Sequence, residues 1–132
     1  MLSPVNAITL LPLLTVPFVS ALFFPYRIDV QGKLYCNGTP IAGVQVDLME
    51  RDFVKADDVL GISYTGEDGG FKIEATDIET WDPPHNYLRI RHSCTAVKPC
   101  VEYNCRPIIL HQITARPYNL GIYELWENKG KV

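Results

Sequence analysis

Apolar residues in this chain recur at every second position, in short runs separated by Gly, Pro, Asn and Asp, and that period decides what it can become. Ile28, Val30 and Leu34 alternate with Asp29, Gln31 and Lys33, the pattern of a strand with one face buried and one wet. Asn37-Gly38 follows, within Cys36-Asn37-Gly38-Thr39-Pro40, the strongest short-range signal for a hairpin turn. Val44, Val46 and Leu48 set a second strand, and residues 59–65 and 71–74 a third and fourth around the turn Glu67-Asp68-Gly69-Gly70. Residues 87–92, 106–113 and 118–125 complete the series. Seven short strands at such spacing predict an all-β chain folded as a sandwich of about seven antiparallel strands.

The first residues do not fit that pattern. From Ala7 to Pro25 there is no charged residue, but Pro12 and Pro17 break the run, and a spanning helix wants about 20 apolar residues without breakers. Val19-Ser20-Ala21 supplies the small residues of a cleavage site, although no Lys or Arg precedes the apolar run. Residues 1–21 are therefore expected to be a secretory signal peptide rather than a membrane anchor. A single domain over 22–126 and a polar tail over 127–132 follow. The chain is expected to be secreted and extracellular.

Cysteine usage agrees with export. Cys36, Cys94, Cys100 and Cys105 are even in number, and none of their spacings matches the close pairs of a zinc site. Two structural disulfides are expected. Three pairings are open, and the one leaned toward closes a local loop from Cys94 to Cys100 and joins Cys36 to Cys105. Asn37-Gly38-Thr39 is an N-glycosylation sequon in an expected turn, with oxidation of the adjacent Cys36 working against occupancy.

Charge sorts the remaining functions. The net charge of −3 argues against a nucleic-acid binder, which would be basic. Its distribution is uneven: residues 22–84 carry −7, whereas residues 85–116 carry +4 and all three histidines. Arg89 and Arg91 stand two apart in one strand and project from one face, opposite Leu88, Ile90 and His92. Arg106 is expected near the same edge, and Lys98 in a loop that caps it. Planar guanidinium forks suit carboxylate and phosphate oxygens, so Arg89, Arg91, Lys98 and Arg106 are the candidate site for an anionic lipid or partner. The plainer alternative is a solvated face whose arginines pair with acids such as Glu102 or Glu124.

No nucleophile–base arrangement, P-loop or H-E-x-x-H motif occurs. His92 and His111 alternate with apolar residues and read as structural, and His85 falls in a loop. Glu50, Asp52, Asp57 and Asp58 lack the order and central Gly of a calcium loop. No enzyme, metal or cofactor is expected.

Taken together the motifs resemble the nematode transthyretin-like family. Residues 26–44 carry its opening, with Val30-Gln31-Gly32-Lys33-Leu34-Tyr35-Cys36, a turn ending at Pro40, and Gly43-Val44-Gln45-Val46. The likeness continues through Asp57-Asp58-Val59-Leu60, residues 65–71, residues 87–94, Lys98-Pro99-Cys100 and Tyr118-Asn119-Leu120-Gly121-Ile122. It implies a secreted, disulfide-stapled, transthyretin or prealbumin-like sandwich without catalytic residues. The role it implies is an extracellular bridging molecule between phosphatidylserine on dying cells and an engulfment receptor, with a cell-surface protein as partner. Transthyretin itself suggests a second reading, a carrier of a small apolar ligand in a channel between subunits. Hydrolases of the same fold use a C-terminal Tyr-Arg-Gly-Ser, which residues 127–132 do not contain. Cys105 departs from the family pattern.

Overall fold

The computed structural model describes residues 24–79, 85–94 and 108–126. The expected signal over 1–21, Lys98, Cys100, Cys105, Arg106 and the tail over 127–132 lie outside the described residues. Eight strands follow one another: β1 (Phe24–Cys36), β2 (Thr39–Pro40), β3 (Gln45–Glu50), β4 (Asp58–Tyr64), β5 (Gly70–Glu79), β6 (Asn86–Arg91), β7 (Ile108–Gln112) and β8 (Tyr118–Glu124). They form two four-stranded sheets. In the first, β1 pairs antiparallel with β5 and β2, and parallel with β8. The second runs β4-β3-β6-β7, antiparallel throughout.

The Asn37-Gly38 turn forms as expected, with both residues at positive φ (51° and 78°), the conformation a two-residue hairpin loop requires. The hairpin it begins is only two residues long. After Pro40 the chain crosses to the second sheet, so the strand expected over Val44–Leu48 pairs with β4 and β6 instead of with β1.

Alternation sets the core. Ile28, Val30 and Leu34 of β1 and Phe71 and Ile73 of β5 face Val46 and Leu48 of β3, Leu88 and Ile90 of β6 and Ile109 of β7, all buried in one cluster. Burial of each such side chain contributes about 1.5–3 kcal/mol, the main term holding the sheets together. Gly32 sits where the sheet packs too closely for a side chain, a Cβ there lying 2.8 Å from that of Leu120 and 3.0 Å from the Phe71 ring.

A disulfide joins Cys36 to Cys94, which corrects the expectation of a local Cys94–Cys100 loop and of a Cys36–Cys105 bridge. The reason is topological. The end of β1 and the segment after β6 leave their separate sheets at the same end of the sandwich, with Cα atoms 5.9 Å apart, within disulfide reach.

Candidate functional site

The outer face of the second sheet is built in cross-strand rows. Asp47 lies beside Arg89 across β3 and β6, with Ile62 of β4 and Leu110 of β7 outside them. The adjacent row is Tyr64, Gln45, Arg91 and Ile108. Both arginines therefore share one face, as expected from their spacing.

Among the described residues their acid is Asp47; Glu124 accepts instead from the backbone of Asn37 and Gly38, and Glu102 lies outside the described residues. Asp47 is fully buried although it points away from the core, because the arginines and Gln45 cover it. The Arg89 Nε donates to Asp47 Oδ2 at 2.9 Å and the Arg91 Nε to the same oxygen at 3.2 Å. Gln45 Nε2 occupies Oδ1 at 2.8 Å. A buried carboxylate needs such saturation, since an unpaired one carries a heavy desolvation cost.

Neither guanidinium makes another hydrogen bond among the described residues, and their side chains remain 24% and 36% exposed. Two cations on one anion leave the centre of the face net positive. At its lower end the Tyr87 hydroxyl donates to Asp57. That bond holds the Asp57 carboxyl below the usual range, while burial first, then Asp57, pushes the Tyr87 phenol up. Arg51 lies 5.7 Å over the Tyr87 ring.

Apolar groups border this charged centre. Eight large apolar side chains are exposed among the described residues, and six of them belong to this sheet or its β3–β4 loop: Phe53, Val54, Val59, Ile62, Tyr64 and Leu110. Such concentration on one side marks contact surfaces, whereas scattered exposure carries no message. The outer face of the first sheet is different. Arg27 pairs with Asp29 and Glu74, Lys72 with Glu74, and Lys33 with Asp68, a lattice of exposed ion pairs, with Ile78 and Ile122 as the large apolar side chains exposed on that sheet.

Two of the histidines make local hydrogen bonds, and His92 Nε2 is buried with no hydrogen-bond partner among the described residues. His92 Nδ1 accepts from the Cys94 N–H at 3.1 Å, and burial pushes its pKa down. His111 Nε2 bonds the Tyr118 hydroxyl. Among the described residues no three His, Cys, Asp or Glu side chains gather as metal ligands. Asn37 is exposed at the tip of its turn, where the Glu124 carboxylate accepts from the backbone N–H groups of Asn37 and Gly38.

A sequence model of the transthyretin-like family matches residues 31–109, which include β3, β4, β5, β6 and the whole Arg–Asp–Arg cluster. The chain belongs to the transthyretin-like family. Three relatives from Caenorhabditis elegans agree. Transthyretin-like protein 5 is 34% identical over 104 residues, covering 77% of this chain and 64% of that protein. Transthyretin-like protein 16 is 37% identical over 76 residues, 57% of each chain. Transthyretin-like protein 1 is 32% identical over 81 residues, 55% of this chain and 51% of the relative. The matched segments thus span about half to two thirds of those relatives' lengths. No helix among the described residues is long and apolar enough to cross a membrane.

Proposed function

We propose that this member of the family is a secreted recognition module without catalytic activity, and that Arg89 and Arg91 engage an anionic headgroup, phosphatidylserine, while a cell-surface engulfment receptor is held elsewhere on the chain. The observation that carries this reading is the way Asp47 binds both arginines. It takes one Nε from each and leaves the remaining guanidinium N–H groups without a protein partner among the described residues. Two pre-oriented forks suit phosphate and carboxylate oxygens. The neighbouring Ile62, Tyr64 and Leu110 are exposed beside them and suit contact with the boundary between headgroups and acyl chains. Lys98 and Arg106 are candidate additions to the same cationic surface, and a glycan on Asn37 would project from the disulfide end, leaving this face clear.

The test is sedimentation of the purified chain with phosphatidylserine-containing and with neutral vesicles at low and high ionic strength. Binding to the anionic vesicles alone, weakened by salt, is expected. Arg91→Glu and Leu110→Glu should each reduce it several-fold. Leu110→Glu sets a carboxylate across from Arg89, where it takes up the free guanidinium N–H groups, while Arg91 and Gln45 still hold Asp47, so the site is filled from within without leaving the buried acid bare. Wild-type binding by both folded variants would remove this face from the proposal.

A further inference from the structure

At the end of the sandwich opposite the disulfide, four polar side chains stand where the core would otherwise continue. Tyr26 and Asp77 are cross-strand partners in the first sheet, on the same side as Ile28 and Ile73. Glu50 and Asn86 are partners in the second, on the same side as Leu48 and Leu88. The two pairs therefore face each other across the gap between the sheets. Tyr26 donates its hydroxyl to Asp77 Oδ2 at 3.2 Å. Asn86 is 3% exposed, and its amide Nδ2 has no hydrogen-bond partner although the Tyr26 hydroxyl is near.

Glu50, inward on the second sheet, faces Asp77, inward on the first, and lies close enough for a hydrogen shared between the two carboxyl groups to be the largest influence on its titration. Two carboxylates cannot share one while both are ionised, since neither then has a hydrogen to give. Among the described residues no Lys or Arg forms an ion pair with either carboxyl. The charges felt by Glu50 are Asp77 from β5, Asp58 from β4 and Asp52 from the β3–β4 loop, all negative. Tyr26 from β1 is neutral, its own pKa raised to about 12, chiefly by burial. Asn86 from β6 carries no charge. Arg116, from the segment after β7, lies 4.2 Å over the Tyr26 ring. Arg51 lies over Tyr87, and the His85 ring packs against Phe53 at 5.7 Å.

We propose that Glu50 and Asp77 form a proton-held latch between the two sheets, in which one carboxyl keeps its proton and donates it to the other, so that losing the proton releases this end of the sandwich. The proton goes to solvent and no bond other than O–H is broken. The Glu50 pKa is raised to about 7, by the hydrogen bond with Asp77 first, then by burial and by the surrounding acids. An acid whose folded pKa lies above its unfolded one adds stability that is complete below the unfolded value and is gone once pH has risen through the folded value. The latch is therefore closed in mild acid and open in mild alkali. The β3–β4 loop, with Phe53 and Val54 at its surface, starts from Glu50 and is the segment set free.

Thermal melts of the full chain across about pH 5 to about 8 test this, with Glu50→Gln as the comparison. His92 and His111 are pushed below their usual range by burial and titrate with the opposite sign. The difference between the two chains is therefore the quantity to read. Glutamine keeps a donor toward Asp77 without a titrating proton, so the variant should melt above wild type at the alkaline end, and the gap should close in acid. Parallel curves overturn the proposal. If the variant does not fold, an NMR titration of the Glu50 carboxyl carbon in wild type decides, and a midpoint in the ordinary glutamate range overturns it.

Discussion

Asp47 shows how one residue can matter most on the side of a sheet that faces away from the core. Its burial is a consequence of saturation: three donors close over two oxygens, and the arginines that neutralise it are the groups offered to a ligand. Asp47→Asn removes the charge and leaves both guanidinium groups facing an amide. Because the arginines are partly solvated, the expected loss is about 1–3 kcal/mol, below the figure for a fully buried pair, and urea denaturation measures it. That Arg89 and Arg91 share a face was legible from their spacing, since parity along a strand is a local property. Their partner was not legible. Asp47 alternates with Val46 and Leu48 like any solvated strand residue, and only the β3–β6 register, a long-range fact, puts it beside Arg89.

Among the elements, the turn between β4 and β5 is the most constrained. Gly69 has φ +78°, and a Cβ there would lie 2.5 Å from the Leu34 carbonyl oxygen, the atom row against which the turn is packed. Gly38 shares that φ, yet a Cβ on it meets nothing within 4 Å. Alanine at Gly38 is therefore expected to cost about 1 kcal/mol, from backbone conformation alone. At Gly69 the clash adds to that strain, and the expected cost is about 2–3 kcal/mol or more. Paired denaturation curves compare the two. The sequence marks both turns, because glycine beside Asn or Asp is a local signal. It stops the fourth expected strand at Glu74, whereas β5 runs to Glu79. Asp77 is the cause: a carboxyl on the inward side breaks the apolar alternation that reveals a strand, and its reason for being there, Glu50, lies on another sheet.

On the scale of the molecule, the two sheets are fastened at both ends by unlike means. Cys36–Cys94 closes a separation of 58 residues, for which loop-closure entropy gives about 4 kcal/mol. Replacing both cysteines by serine should lower the unfolding free energy by roughly that amount, read as a fall in the urea midpoint with a steeper slope, because the unfolded chain without its cross-link exposes more surface. A much smaller loss would mean that the apolar cluster between the sheets aligns the two ends without help. The far end is held by carboxyl groups. One fastening answers to reductant and the other to pH.

The pairing of β1 with β8 has a further consequence, in time rather than in space. It is parallel, and it sets residue 30 against residue 118, so no hairpin can bring the two together. As the chain is synthesised, β1 emerges first among the described strands and must keep one edge unpaired until β8 has been made. Contacts of such long sequence separation slow folding, and an open strand edge recruits whatever extended chain is near. For a nascent chain of this topology the hazardous interval is the one before β8 arrives, when the open edge of β1 can pair with a neighbouring copy.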